Sequence, residues 1–254
     1  MGATGSISGN QYSEADILTE RYLRMREEPL FNADDELVVP VRNINRPHFR
    51  RVGRASFGAR VGRSENNPTH NECVDLIFER LSNNDRANRL ITYVFAPNTP
   101  RSEQVFFAPG VTSDYRWYKE SDARIAFDDG TYIQPDLAGR DANRFFPRAN
   151  CPNIIIEVVR THAPEVETFR RLYEVSLANT IVVFYFVAQD KVSGILNHMT
   201  VTEALFTLRV SHYMMGGQLY NNGEPACARR EDEELGHWFR YLQGAYFEPA
   251  MRKA

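Results

Sequence analysis

Two apolar runs with a helical stretch between them constrain the fold more than any other part of the sequence. The runs are NIIIEVV at 153–159 and IVVFYFVA at 181–188, and they are separated by PEVETFRRLYEVSLANT at 164–180. Strands that are apolar on both faces are typical of parallel sheets, which are covered on both sides. A parallel pair needs a crossover connection, and Pro164 suits the first turn of a helix. The segment therefore predicts a βαβ unit.

The residues before this unit predict a helix, a strand and a hairpin in that order. The helix runs through ECVDLIFERL at 72–81 and has one apolar face. The strand is RLITYVFAP at 89–97, and the hairpin is RIAFDDGTYIQPDL at 124–137 with a turn at 128–130. With the hairpin counted as one β element, the whole order is αβββαβ, which places the chain in the α/β class.

The two ends of the chain have sequence patterns that differ from that of this core. Residues 1–65 show little apolar periodicity and predict an arginine-rich, partly disordered N-terminal arm with one short helix within 13–28. Residues 66–195 form the predicted core. The stretches TEALFTLRVSHYMM and EDEELGHWFRYLQGAYF predict that residues 196–254 form a helical C-terminal cap packed on that core.

Two acidic residues occur where apolar strands are expected. Asp136 ends one apolar run and Glu157 interrupts another. A carboxylate that faces a core is costly unless it is paired or holds a metal. Two or three carboxylates with water ligands suit Mg²⁺. The alternative is that Asp136 caps a turn while Glu157 forms a salt bridge with Arg160 or Arg170.

The αβββαβ order, with Pro135–Asp136 at the end of one strand and Glu157 followed by Val158 and Val159 inside the next, resembles the PD-(D/E)XK, or restriction-endonuclease-like, nuclease superfamily. The resemblance covers about residues 66–189. It implies a restriction-endonuclease-like core with a mixed sheet. It also implies metal-dependent cleavage of phosphodiester bonds in DNA or RNA.

The resemblance also implies a set of metal ligands. Asp136 and Glu157 would bind one or two Mg²⁺ or Mn²⁺ ions, helped by the carbonyl of Val158. In this superfamily an acid or a histidine from the first helix often contributes as well, and Glu72 and His70 are placed to do so.

One residue departs from the superfamily pattern. The lysine two positions after the glutamate is Val159 here, and in some branches that lysine comes from the following helix instead. If Phe169 centres the apolar face of that helix, about 100° per residue puts Arg170 at its flank and turns Arg171 to solvent. Arg170 is therefore the predicted displaced cation. Arginine stabilises negative charge, but its pKa bars it from acting as a base.

Arginine is also concentrated before the predicted core. Only Lys119, Lys191 and Lys253 are lysines among the 30 basic residues. The segment RPHFRRVGRASFGARVGR at 46–63 contains no acidic residue, and such a patch suits a nucleic-acid backbone. Its arginines, predicted to bind nucleic acid, are Arg46, Arg50, Arg51, Arg54, Arg60 and Arg63.

Composition restricts the class of protein. A hydrophobic content of 43% and a charged content of 25% are those of a globular chain, and the longest apolar run is too short to span a bilayer. The cysteines Cys73, Cys151 and Cys227 are too few and too scattered for a disulfide framework or a zinc site. The expected setting is intracellular, cytoplasmic or nuclear, with nucleic acid as partner and no membrane.

Three functions stay open at this point. The first is a metal-dependent nuclease. The second is a nuclease-fold protein that has lost catalysis and binds nucleic acid or a partner protein. The third is a structural or assembly protein whose arginine arm binds nucleic acid. A homodimer is compatible with each of them.

Overall fold

The chain divides into two units, and each has its own buried core. The first unit spans residues 1–59 and 126–132, and the second spans residues 60–125 and 133–254. In this computed structural model the described residues are 2–33, 37–52, 60–62, 67–83, 86–95, 98–110, 112–143, 146–187 and 198–253. Within those ranges no helix has both the length and the apolar character that crossing a membrane requires.

The first unit contains a five-stranded antiparallel sheet in the order β2-β1-β3-β4-β5. Its strands are β1 (Ala3–Gly5), β2 (Gln11–Tyr12), β3 (Leu30–Phe31), β4 (Leu37–Val41) and β5 (His48–Arg51). The buried side chains of this unit include Tyr12, Ile17, Met25, Leu30 and Phe49. A 3-10 turn at Ala15–Leu18 and helix α1 (Arg21–Met25) fill the expected helical region.

The predicted arm is therefore wrong for residues 2–33 and 37–52, which form a folded β unit. The reason lies in strand length. Strands of two to five residues are too short to show an alternating pattern that can be recognised in a sequence.

The predicted hairpin is confirmed as β9 (Ile125–Ala126) and β10 (Tyr132–Ile133). In its turn the Phe127 N–H donates to the Thr131 carbonyl at 2.9 Å.

The second unit contains two mixed sheets. The seven-stranded sheet has the order β18-β17-β16-β13-β12-β11-β8, and the four-stranded sheet has the order β14-β15-β6-β7. The strands of the larger sheet are β8 (Tyr115–Lys119), β11 (Leu137–Asp141), β12 (Asn153–Val159), β13 (Thr180–Phe186), β16 (His212–Met215), β17 (Gln218–Asn221) and β18 (Glu224–Pro225). Those of the smaller are β6 (Ala87–Val94), β7 (Ser102–Phe107), β14 (Met199–Val201) and β15 (Leu205–Arg209).

The predicted βαβ unit is confirmed. Strands β12 and β13 are parallel along their whole length, from Asn153 opposite Thr180 to Val159 opposite Phe186, and α3 (Val166–Ser176) connects them. The strand predicted at 89–97 is β6, which belongs to the four-stranded sheet and pairs in parallel with β15. The fold is thus mixed α/β.

Helices cover both faces of the central β12–β13 pair. Helix α2 (Pro68–Leu81) begins after the N-cap Asn67, whose side-chain oxygen accepts from the Thr69 N–H at 3.0 Å. Its buried residues, which include Cys73, Ile77 and Leu81, share one core with alternate residues of β12, namely Ile154, Ile156 and Val158. Since successive strand residues face opposite sides, Glu157 lies on the other face.

The α3 face is held by aromatic contacts. Phe169 of α3 stacks on Phe239 with ring centroids 4.2 Å apart, and it also contacts Phe184, Trp238 and Phe247. Trp238 and Phe239 belong to α4 (Leu235–Leu242). A π-helical segment (Gln243–Phe247) and α5 (Glu248–Lys253) follow.

The prediction of a helical extension over 196–254 is wrong for its first half. Residues Leu205–Arg209 and His212–Met215 are strands β15 and β16, each inserted into one of the two sheets. Phe206, Leu208 and Val210 are buried at alternate positions, the strand spacing, but an apolar Leu205 beside them produces an equally good helical pattern. Only the segment from Leu235 onward is helical, as predicted.

We expect the buried His212 to make stability depend on pH. Burial lowers its pKa from 6.5 to about 4, so the native state binds fewer protons than the unfolded chain over this range. The free energy of unfolding should therefore fall as the pH drops from about 6.5 toward 4, by about 3 kcal/mol in total. Urea unfolding at several pH values measures this. In His212→Asn the fall in the free energy of unfolding should be smaller by about 3 kcal/mol. In the matched control His237→Asn, at an exposed position, the full fall should persist.

Candidate metal centre

A cleft of about 1150 Å³ opens at the carboxyl end of β12. Its walls come from the start of α2, the residue before β11, the end of β12, the loop into α3, and the helices at the C-terminus. Among the residues predicted from the sequence, those that line it are Arg60, His70, Asp136, Glu157, Val158 and Arg170. Glu72 is exposed on α2 and does not line the cleft, so the structure does not bring it together with the two strand acids.

The register of β11 against β12 brings the two acids together. Asp136 lies directly before the start of β11 rather than at the end of a strand, as the sequence had suggested. Because β11 is antiparallel to β12 and pairs Leu137 with Ile156, the next residues on either side, Asp136 and Glu157, become neighbours. One tight antiparallel register therefore produces the pair of carboxylates.

Asp136 is held by two contacts to the same oxygen. Its Oδ2 accepts from the Val158 backbone N–H at 2.8 Å and lies 3.1 Å from Nε2 of His70. The His70 side chain is only 4% exposed, whereas that of Asp136 is 22% exposed. A buried histidine thus orients a carboxylate that remains open to the cleft, an arrangement common behind metal ligands.

The backbone of Val158 adds a third oxygen. In a strand the N–H and C=O of one residue point to the same side, and the Val158 N–H points to Asp136. The neighbouring Val159 carbonyl accepts from the Val187 N–H on the β13 side. The Val158 carbonyl therefore points toward Asp136, at the same edge as the two carboxylates.

The electrostatics of Glu157 reflect this crowding. Burial raises the pKa of Glu157 well above its ordinary value, the nearby Asp136 carboxylate raises it further, and Arg60 lowers it. Two neighbouring carboxylates and a carbonyl oxygen form a hard-oxygen donor set of the kind that Mg²⁺ and Mn²⁺ prefer, so the residues present fit such an ion. Among the described residues no three His, Cys, Asp or Glu side chains are grouped to hold a metal ion, so water would have to complete the coordination.

The two arginines of α3 differ from the prediction in their exposure. Arg170 lines the cleft, but it is 49% exposed, and its Nε lies 3.3 Å from Glu167 Oε2. Arg171 was expected to point to solvent, yet it is only 13% exposed and pairs with Glu174 at 2.9 Å. An arginine can bury its long aliphatic stem while its head group stays paired, which a helical wheel does not show. The ion pair of Arg170 is thus with Glu167 and not with Glu157.

Arg60 reaches the cleft from upstream of α2. Its Nε is buried and has no hydrogen-bond partner within the described residues. The segment that carries it passes close to the start of α3, because a Cβ added to Gly62, whose φ is +83°, would collide with the Thr168 side chain. Of the predicted arginine patch, Arg46, Arg50 and Arg51 belong to the first unit, while Arg54 and Arg63 lie outside the described residues.

One wall of the cleft was not predicted from the sequence. It comes from α4, the π-helical segment and α5, through the residues Glu234, Phe239, Arg240, Gln243, Glu248 and Met251. No motif marks these residues, and only tertiary packing through Phe169 brings their helices to the cleft.

No family model, curated protein or solved structure matches this chain. The interpretation of the site therefore depends on its own geometry.

Crowding of the two acids predicts that Glu157 destabilises the metal-free protein. We expect Glu157→Gln to raise the free energy of unfolding in EDTA at pH 7 by about 1 kcal/mol, because it removes a buried charge beside Asp136. A group with a raised pKa favours the native state when protonated, so this gain should shrink as the pH is lowered. Urea unfolding checks both, with Glu203→Gln at an exposed position as control. A loss of stability in Glu157→Gln at pH 7 would contradict the electrostatic account.

Proposed function

We propose that this chain is a metal-dependent nuclease with a restriction-endonuclease-like core that cleaves phosphodiester bonds of DNA or RNA. The observation that carries the proposal is the convergence of the Asp136 and Glu157 carboxylates and the Val158 carbonyl in one cleft. The cleft of about 1150 Å³ also has the cations Arg60, Arg170 and Arg240 in its lining.

The order of elements in the second unit supports the core assignment. Helix α2 is followed by β8, β11 and β12, then by α3 and β13, if the β6–β7 pair and the β9–β10 hairpin are treated as insertions. Strands β8, β11 and β12 are joined as an antiparallel meander, and β13 is added in parallel. This arrangement in one mixed sheet supports the proposal, but it uses other strands than those predicted from the sequence, because β6 and the β9–β10 hairpin belong to other sheets.

Six residues of the cleft have specific roles in this proposal. A divalent ion held by Asp136, Glu157 and the Val158 carbonyl would activate water and stabilise charge on the phosphoryl group. His70 fixes the orientation of Asp136 through their hydrogen bond. Arg60 and Arg170 supply positive charge to the phosphate oxygens, since arginine is a good donor for phosphate but a poor base.

A nuclease-fold protein without catalysis is the second candidate. The observation that favours it is Val159, which occupies the position of the superfamily lysine. Such a protein would still bind a metal ion or nucleic acid in the same cleft, so cleavage and metal binding must be measured separately.

The acids provide the first test. Asp136→Ala and Glu157→Ala should each abolish cleavage of single- and double-stranded DNA and RNA in Mn²⁺, because each removes a metal ligand. Glu72→Ala, which changes an exposed acid on α2, should cut like wild type. Circular dichroism checks that the variants fold. Full activity in either strand-acid variant would refute the site.

A thermal-shift titration with Mn²⁺ separates the two candidates if the wild type cuts no substrate. A rise in Tm that disappears in Asp136→Ala would favour the binding protein with a metal site. The absence of any Mn²⁺ effect in the wild type would refute the metal centre in both.

The cations provide a second test. Arg60→Ala should lower the cleavage rate by ~10²–10³, the scale of losing one charge partner of the transition state. Arg170→Ala should have a smaller effect, because this side chain is half exposed and already paired with Glu167. Arg60→Lys should retain part of the rate. Equal rates for Arg60→Ala and wild type under single-turnover conditions would exclude Arg60 from the reaction.

A further prediction concerns the arginines of the first unit. Arg46 and Arg50 are exposed, and if they contact phosphates, the double variant Arg46→Gln/Arg50→Gln should bind nucleic acid more weakly and with a flatter salt dependence. The slope of log affinity against log salt should fall by about 2 for duplex DNA. Arg24→Gln/Arg26→Gln, at other exposed positions of this unit, is the charge-matched control. An unchanged slope would exclude Arg46 and Arg50 from the interface.

A further inference from the structure

A second cavity, of about 380 Å³, lies at the carboxyl end of β13 and shares no lining residue with the cleft. Its walls come from the ends of β13 and β15, the start of β16, the turn after β17 and the C-terminal helices. Its volume falls within the range of pockets that bind small molecules. It is also about ten times the ~30 Å³ that one water molecule occupies.

Three buried polar atoms on its lining residues have no hydrogen-bond partner within the described residues. They are the Tyr185 hydroxyl, Nε of Arg209 and Oδ1 of Asn222. The Tyr185 side chain is almost fully buried, at 2% exposure. Unpaired buried polar groups are costly and rare in native proteins, and three around one cavity indicate that something else satisfies them.

The charge of the cavity is positive. Among the described residues that line it, Arg209 has the only charged side chain, and none of them is a carboxylate. Burial, and then the charge of Arg209, lower the pKa of His198, while burial lowers that of His212 to about 4, so both histidines are neutral at pH 7. Arg209 makes no ion pair with any described residue, and its guanidinium lies over the Tyr93 ring at 4.5 Å. A ligand that balances this charge must be an anion.

The hydrogen-bonding groups come from β13, β15 and the turn after β17. Tyr185 lies beside His198, with ring centroids 6.0 Å apart; burial raises the pKa of its hydroxyl, and Arg209 is close enough to lower that pKa in part. Asn222 lies beside Ser211, to whose carbonyl its backbone N–H donates at 2.7 Å. Tyr185 and Arg209 thus offer donors, Asn222 offers an acceptor, and Phe186 and Tyr246 add aromatic surface.

We propose that this second cavity binds a small organic anion. Its carboxylate or phosphate oxygens would accept from Arg209 and Tyr185, a donor group would meet Asn222, and a flat apolar part would pack against Phe186 and Tyr246. This proposal does not depend on the proposed nuclease activity, because it uses other residues and another cavity.

Titration calorimetry with defined probes tests the proposal. The probes are adenosine 5′-monophosphate and benzoate, two anions that differ in their acidic group, with uncharged adenosine as the control. At least one anion should bind at millimolar concentration or below and raise Tm, while adenosine should not. Failure of both anions to bind would overturn the proposal, and so would equal binding of adenosine and its monophosphate.

Variants locate the binding. Arg209→Gln should weaken the affinity for the anion at least ~10-fold, the scale of a charge-assisted hydrogen bond, whereas Arg86→Gln on the same sheet should leave it unchanged. Tyr185→Phe should weaken binding while leaving the Tm of the ligand-free protein unchanged or raised, because it removes a hydroxyl that has no partner. Undiminished affinity in Arg209→Gln, or a lower Tm of ligand-free Tyr185→Phe, would overturn the proposal.

Discussion

The parallel pairing of β12 with β13 is the interaction on which the rest of the second unit depends. Both strands are apolar on both faces, so the pair is stable only when α2 covers one face and α3 covers the other. The same pairing aligns the carboxyl ends of the two strands at one edge of the sheet. The cleft opens at the end of β12 and the second cavity at the end of β13. Ligands of open α/β sheets generally bind at this edge, because strand ends leave backbone and side-chain groups without sheet partners.

The C-terminal helices contribute residues to both the cleft and the second cavity. Gln243, Glu248 and Met251 face the cleft, while Tyr246 and Pro249 face the second cavity. Between them Phe247 is fully buried and contacts the rings of the α3 and β13 aromatic cluster. One hydrophobic anchor thus holds the surfaces of both cavities in place. A substitution at Phe247 would disturb both sites, which is why the tests above use residues that line only one.

Local pattern was sufficient to predict some of the elements but not their partners. The crossover, the buried face of α2 and the β9–β10 hairpin follow from periodicity and turn residues within single segments. The neighbourhood of Asp136 and Glu157 depends on the register of β11 against β12, which no segment encodes alone. The sequence predicts a helix at Leu205–Arg209, where the structure has a strand. That strand depends on pairing with β6, which connects residues 118 positions apart, such as Arg89 and Thr207. The place of Arg60 in the cleft likewise depends on tertiary packing at Gly62.

No lysine is found among the described residues that line the cleft, and this limits the chemistry that they can perform. Asp136 is hydrogen-bonded by His70 and the Val158 N–H, and Arg60 partly offsets the charge of Glu157, so the metal-free cleft is an incompletely balanced cluster of acids. A divalent ion would complete the balance. The guanidinium of Arg60, whose buried Nε has no partner among the described residues, would then have a phosphate oxygen as its natural acceptor.

Since arginine does not release its proton, the proton of an attacking water would have to pass to solvent or to another group. Among the described residues that line the cleft, His162 is exposed and has an imidazole that can accept a proton. If the chain is a nuclease as proposed, Val159 at the position of the superfamily lysine would leave charge stabilisation to arginine and separate it from proton transfer.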